Sequence, residues 1–142
     1  MEAKTNLLPP VAHGIFSLPP YDDAPPTLLG GYCQDCMQYF FPRPKYCPDC
    51  LNILQERALG STGTLYSYTT VRIKAPLGFP SPYSVVYVDL DRNGLRVFCL
   101  FDPQAGDQLK IDLKVKLAVG PLGLDLKGQP CLRPYFRPLK PK

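Results

Sequence analysis

The 142-residue chain contains a single histidine, His13, and no apolar run approaching the roughly 20 residues that a membrane-spanning helix needs. The first scarcity leaves a catalytic cysteine or serine without the usual imidazole base, because His13 stands alone in a proline-rich stretch. The second excludes a helical membrane span. Met1 to Gly14 has no basic patch followed by an apolar core, so no secretory signal is expected and the cytoplasm is the expected compartment. Neither a glycine-rich phosphate loop nor a paired-carboxylate motif occurs. A basic stripe of the kind that marks nucleic-acid binders is also missing. The net charge of +4 resides entirely in the last ten residues, as Arg133, Arg137, Lys140 and Lys142, with no acid after Asp125. Twelve basic and twelve acidic side chains remain in the rest, and the expectation is a neutral body with a basic C-terminal tail.

What is present is cysteine in a particular spacing. Cys33 and Cys36, then Cys47 and Cys50, form two CxxC pairs separated by ten residues. Four thiolates converging at about 2.3 Å on one ion make a tetrahedral zinc site, and each CxxC turn supplies two of them. The spacer Met37–Tyr46, with its aromatic run and Pro42-Arg43-Pro44, predicts two short strands joined by a tight connection, the outline of a zinc ribbon. An even cysteine count also fits a disulfide framework. A reducing compartment favours the metal. Four thiolates leave no open position for water, so this zinc, one per chain, is expected to be structural.

The remainder reads as strand. Residues 1–30 hold six prolines and are expected to form an extended arm; Ile15, Phe16, Leu18, Tyr21, Leu28 and Leu29 are too apolar for a plain linker, so the arm should dock on its own domain or on a partner. Residues 31–58 form the ribbon and 59–142 a second unit with the basic tail. Strands are expected at Thr64–Lys74, Ser84–Asp91 and Leu95–Asp102, the last two flanking the Asn93-Gly94 hairpin signal. Leu109–Val119 alternates apolar and polar residues, predicting a half-buried strand; Gly120–Gly123 should then turn the chain into a last strand within Leu124–Phe136. Five antiparallel strands without a helix suggest a small closed barrel, and the fold class is all-β.

A ribbon followed by a five-stranded barrel resembles a family of acyl-CoA-associated proteins, companion subunits of thiolase-type enzymes. The residues that carry the resemblance are Cys33, Cys36, Phe41-Pro42-Arg43, Cys47-Pro48-Asp49-Cys50, Gly63 to Thr69, Pro82-Tyr83 and Val88-Asp89-Leu90. It covers the chain from about Gly30 onward. The resemblance implies a rubredoxin-like zinc ribbon, an OB-fold barrel and a hetero-oligomeric partner such as a thiolase. Members accompany benzoylsuccinyl-CoA thiolase, or acetoacetyl-CoA thiolase with hydroxymethylglutaryl-CoA synthase. Two departures stand out. Met37 and Leu51 occupy places after each CxxC where the family has glycine, and the proline-rich arm replaces an N-terminal helix.

As to chemistry, Cys99 lies in an apolar run and Cys131 follows Pro130, so both read as structural, not nucleophilic. The chain is expected to be silent alone and to serve as a zinc-binding, non-catalytic subunit of a thiolase complex. It would scaffold its partner and help form or gate the CoA-ester site. The proline-rich loop Arg72–Tyr83 offers Arg72, Lys74, Phe79 and Tyr83 as contacts to a shared CoA ester; Arg43 and Lys45 at the ribbon tip are similar candidates. Plain solvated loops are the competing reading of both. The alternative function is single-stranded nucleic-acid binding, with Tyr66, Tyr68, Arg72 and Lys74 as a stacking and basic face. The neutral body argues against it.

Overall fold

The structure, a computed structural model, describes residues 8–19, 21, 24–73 and 77–140. It is all-β, with eight strands and one short 3₁₀ helix at Pro103–Gln108. Strands β1 (Leu28–Cys33), β2 (Gln38–Phe40) and β3 (Gln55–Gly60) form an antiparallel sheet in the order β2-β1-β3. Strands β4 (Thr62–Val71), β5 (Tyr83–Leu90), β6 (Arg96–Phe101), β7 (Lys114–Leu124) and β8 (Pro130–Pro138) close into a barrel in the order β4-β5-β6-β8-β7. All barrel pairs are antiparallel except β6 with β8. The strand pattern predicts a small closed barrel and the family resemblance an OB-fold, and the five strands close in that way.

Alternation drives the barrel walls. On β5, Ser84, Val86, Val88 and Leu90 are buried while Val85, Tyr87 and Asp89 face outward. The β5–β6 hairpin forms where Asn93-Gly94 places it. Gly94 takes φ +71°, Asn93 Oδ1 accepts the Leu95 N–H at 3.0 Å, and Asn93 Nδ2 donates to the Leu59 carbonyl of β3. That last bond reaches the ribbon sheet. Leu28 and Leu59 from the ribbon sheet pack in one core with Leu65, Val86, Val88, Phe101, Val115 and Phe136 of the barrel. Each such burial is worth about 1.5–3 kcal/mol. Ribbon and barrel therefore share their hydrophobic interior.

Three expectations need correction. The spacer between the cysteine pairs is not a two-stranded hairpin. Only Gln38–Phe40 is a strand there, and its partner is β1, which precedes the first cysteine turn. The strand expected at Leu109–Val119 begins only at Lys114 and runs on to Leu124. Asp112, at φ +68°, breaks the alternation, and Ile111, expected on the buried face, is 56% exposed. Gly120–Gly123 does not turn the chain; β7 passes through it with an irregularity between Pro121 and Leu124. The turn comes at Asp125–Gln129, where Asp125 Oδ1 accepts the N–H groups of Lys127 and Gln129.

The N-terminal arm docks on its own chain. Leu132 donates its N–H to the Pro9 carbonyl and accepts from Val11 N–H, both at 2.8 Å, which adds the arm in parallel to β8. Further on, Ser17 and Leu29 N–H groups bond to the Thr27 and Ile15 carbonyls, adding the arm to β1. Phe16 is only 2% exposed. The apolar arm residues Phe16 and Leu28 are thus covered internally, leaving Leu18 as the arm's exposed large apolar side chain among the described residues. The basic tail is also revised: Arg133 and Arg137 belong to β8, and Arg133 is buried.

Candidate metal centre and surrounding clefts

Two tight turns build the cysteine cluster. β1 ends at Cys33 and the chain reverses into β2, with Cys36 N–H donating to Cys33 Sγ at 3.4 Å. In the second turn Cys47 N–H donates to the Asn52 carbonyl and Leu51 N–H to the Cys47 carbonyl, both at 2.8 Å. The Asn52 amide donates to the Asp35 carboxylate and ties one turn to the other. Met37 and Leu51 have φ of +54° and +66°, the conformation that glycine normally fills. Each costs about 1–2 kcal/mol, and metal binding worth about 10 kcal/mol or more outweighs both. Both side chains point into solvent, so the strain is confined to the backbone.

The four sulfurs lie within 4.8 Å of one another, with Cys33–Cys50 at 3.5 Å and Cys36–Cys47 at 3.8 Å. A tetrahedron with Zn–S bonds of about 2.3 Å has edges of about 3.8 Å, whereas a disulfide would need about 2.05 Å. The donor set and its geometry fit zinc, held by Cys33, Cys36, Cys47 and Cys50. Cys33 and Cys47 are buried against Leu54 and Phe40. Burial pushes the Cys47 thiol up, but the backbone N–H groups of Cys50 and Asp49 outweigh it and bring it down to about 7. Hydrogen bonding to Cys50, then to Cys33, raises the Cys36 thiol.

The other candidate contacts do not gather into a single site. Arg72 opens onto a polar cleft of about 350 Å³ shared with Gln104, Asp107 and the Thr70–Ser84 hydroxyl pair, whose oxygens are 3.0 Å apart. Phe79 and Tyr83 are half-buried and stack on each other at 5.5 Å, closing over Leu100, Phe101 and Leu122. Arg43 and Lys45 flank a separate groove of about 390 Å³ floored by Ile53 and Leu54. Arg43 lies 4.0 Å from Glu56, and Lys45 sits 5.5 Å from the Tyr46 ring centroid. Lys74 lies outside the described residues.

Sequence reasoning missed Arg133. Its guanidinium covers the Phe79 ring at 4.8 Å and donates to the Leu122 carbonyl at 2.8 Å, holding Phe79 against β7 and β8. No alternation marks it, since Cys131, Leu132, Arg133 and Pro134 are all buried in β8. Of the two cysteines outside the cluster, Cys131 is fully buried, and burial pushes the half-buried Cys99 thiol up to about 12. On the outer barrel face Tyr66 and Tyr68 are both exposed, but only Tyr66 carries a cation, Arg96. No helix among the described residues is long and apolar enough to cross a membrane.

Known proteins share this arrangement. Residues 24–52 match the rubredoxin-like zinc ribbon domain of ChsH2, and residues 56–120 match the ChsH2 C-terminal OB-fold domain. The chain is 34% identical over 119 residues to the benzoylsuccinyl-CoA thiolase subunit BbsA of Thauera aromatica, covering 83% of this chain and 81% of that protein. Among solved structures it is similar to the Ltp2-ChsH2(DUF35) aldolase. The TM-score there is 0.63 at 27% identity, covering 80% of this chain and 86% of that one.

Proposed function

Since this chain belongs to the family of ChsH2-type proteins that join a rubredoxin-like zinc ribbon to an OB-fold, we propose that it is the non-catalytic, zinc-binding subunit of a thiolase-type acyl-CoA-processing complex. The observation that carries the reading is the similarity to a thiolase subunit along four-fifths of both chains, with all four ribbon cysteines converging on one point. Its own chemistry supports a companion role. A thiol pushed up to about 12 is almost wholly protonated at neutral pH, so Cys99 is a poor nucleophile. Cys131 is sealed from substrate. The ribbon and barrel share a core, which makes them a stiff body suited to scaffolding a larger subunit.

The shared ligand is a CoA ester. Arg72, in its cleft beside the Thr70 and Ser84 hydroxyls, and Arg43 with Lys45 in the ribbon groove are the cations placed to meet its phosphates. Phe79 and Tyr83 support the loop that carries Arg72. The nucleic-acid alternative is less well supported, because the Arg96 charge is spent on Asp89 and its guanidinium covers one face of the Tyr66 ring.

The test is reconstitution. Tagged protein expressed in its native host should copurify in fixed ratio with a thiolase-type subunit, and the pair should thiolyse a β-ketoacyl-CoA. The chain alone should not. Arg72→Ala in the assembled pair should raise KM for the acyl-CoA with kcat retained. Thiolysis by the isolated chain, or steeply salt-dependent binding of oligo-dT by it, would overturn the proposal.

A further inference from the structure

Near the end of β8, Phe136 points into the core, so Tyr135 and Arg137 on either side of it face outward. There they line a second polar cleft, of about 220 Å³, together with Asp102, Gln104, Pro121 and Leu122. Neither Asp102, Tyr135 nor Arg137 lines the Arg72 cleft.

Each of these three side chains has bonding capacity that the protein leaves unused. Arg137 has no carboxylate within 4.0 Å among the described residues, and its Nε is enclosed without a hydrogen-bond partner. Its partner across the β7–β8 ladder is Lys116, so the facing residue on that strand is a second cation. The Tyr135 ring lies against Gly120 of β7, where an added Cβ would come within 3.4 Å of the hydroxyl oxygen. Burial, and then the Asp102 charge, raise the pKa of that hydroxyl against the opposing Arg137 charge, so it stays protonated and can donate. Asp102 Oδ1 accepts the Gln104 N–H at 2.9 Å, which leaves Oδ2 as a free acceptor.

The chemistry of a ligand follows from these groups. Arg137 and Tyr135 only donate, and the guanidinium charge matches an oxyanion. Asp102 repels an oxyanion that has no proton to offer, because two acceptor oxygens would then face each other. A phosphate that keeps one proton meets both conditions. Its charged oxygens accept from Arg137 and Tyr135, and its hydroxyl donates to the Asp102 carboxylate. Inorganic phosphate keeps such a proton at neutral pH, and a monoester keeps one near its second pKa of about 6. Sulfate has none. At about 30 Å³ per water, the cleft has room for one such group with part of its hydration.

We infer that the cleft between Asp102, Tyr135 and Arg137 binds a protonated phosphate group. Arg137 and Tyr135 hold its oxygens, and Asp102 accepts its hydroxyl. Free phosphate and the phosphate end of a monoester share this chemistry. The site does not depend on the CoA contacts proposed above.

The test is calorimetric titration of the full zinc-loaded chain near pH 6 with inorganic phosphate, phenyl phosphate and sulfate in turn. Phosphate should bind at least about tenfold more tightly than sulfate, the worth of one charge-assisted hydrogen bond. Arg137→Gln should weaken phosphate binding by at least about tenfold. Asp102→Asn can still cap the Gln104 N–H, since Asn accepts there as Asp does, and its amide can donate to either anion. In that variant the preference for phosphate over sulfate should vanish. Zinc content and melting temperature check that each variant is folded. Heteronuclear NMR should show the Arg137 Nε–H signal shifting with phosphate. Phenyl phosphate binding as tightly as inorganic phosphate supports a monoester ligand, and binding of inorganic phosphate alone supports the free ion. Equal affinity of the parent chain for phosphate and sulfate, or a preference that survives Asp102→Asn, would overturn the inference. So would saturable binding that leaves the Arg137 signal in place, or no saturable binding of either phosphate.

Discussion

The guanidinium of Arg96 lies 3.3 Å above the centre of the Tyr66 ring while making two hydrogen bonds, of 2.7 and 3.1 Å, to the Asp89 carboxylate. Arg96 and Asp89 face each other across β5 and β6. The hydrogen bonds from Arg96, and then the Arg96 charge, hold the Asp89 carboxyl below its ordinary value against the smaller effect of burial. A lowered carboxyl contributes stability that is present above its unfolded pKa, about 3.9, and lost as the pH falls through the folded value. The pair is half-exposed, so solvent screening keeps this contribution small. Asp89→Asn should remove that share of the acid-side loss of stability, read from denaturant midpoints between pH 6 and pH 3. A variant as acid-sensitive as the parent would deny the pair its role.

Zinc removal should reach beyond the ribbon. Metal analysis should give one zinc per chain, and Cys47→Ser should abolish tight binding. A ribbon hanging freely would unfold without consequence for the barrel. Leu28 and Leu59 instead sit in the barrel's core, so chelation should also lower the barrel's melting temperature, followed by near-ultraviolet circular dichroism. An unchanged barrel melt after complete zinc loss would contradict the shared core.

Phe16 should behave as a core residue although it lies in a proline-rich arm. It is 2% exposed and bridges to Leu28. Phe16→Ala should cost about 3–5 kcal/mol, measured by urea denaturation, whereas Leu18→Ala, at a 52% exposed site, should cost far less. Equal effects would mean that the arm is not docked. Deleting residues 1–29 should destabilise the whole chain, since the cut removes Phe16 and the start of β1.

Gly123 locks the loop that carries Arg72. It takes φ +68°, and a Cβ there would meet the Phe79 ring at 2.4 Å and Arg133 at 2.8 Å. Gly123→Ala should therefore cost more than the about 1–2 kcal/mol of the left-handed backbone alone and free the Phe79 ring, visible as a change in its NMR shifts. The double variant Gly123→Ala with Phe79→Ala should recover part of that loss. Strict additivity of the two changes would show that ring and glycine do not interact.

The convergence of the four cysteines was legible from residue order, because two CxxC turns dictate sulfur placement within a few residues and need little from the rest of the chain. Met37 and Leu51 were legible only through the family resemblance, which puts glycine at both places, and the backbone is left-handed at each. The strands β5 and β6 were equally readable, since alternation and Asn93-Gly94 are local signals. Local signals also misled. The alternating run Leu109–Val119 carried no sign that Asp112 would reverse its phase, because that reversal answers two hydrogen bonds with Leu65, far away in the chain: Asp112 N–H donates to the Leu65 carbonyl, and Leu65 N–H donates to the Leu113 carbonyl. Arg133 and Arg137 read as a tail because charge is visible in a sequence and a partner strand is not.

What the sequence determined by itself was the chemistry: four thiolates for a metal, a β-rich chain with enough apolar alternation for a barrel, and no imidazole beside a nucleophile. What only the tertiary structure decided was how the pieces meet. The arm pairs with both β8 and β1, the ribbon lends Leu28 and Leu59 to the barrel core, and β6 meets β8 at Leu100–Tyr135 and Phe101–Phe136. The reason is physical. Ligand sets and strand periods follow from neighbours along the chain, whereas edges, seams and shared cores depend on contacts between residues tens of positions apart, which a local pattern does not encode.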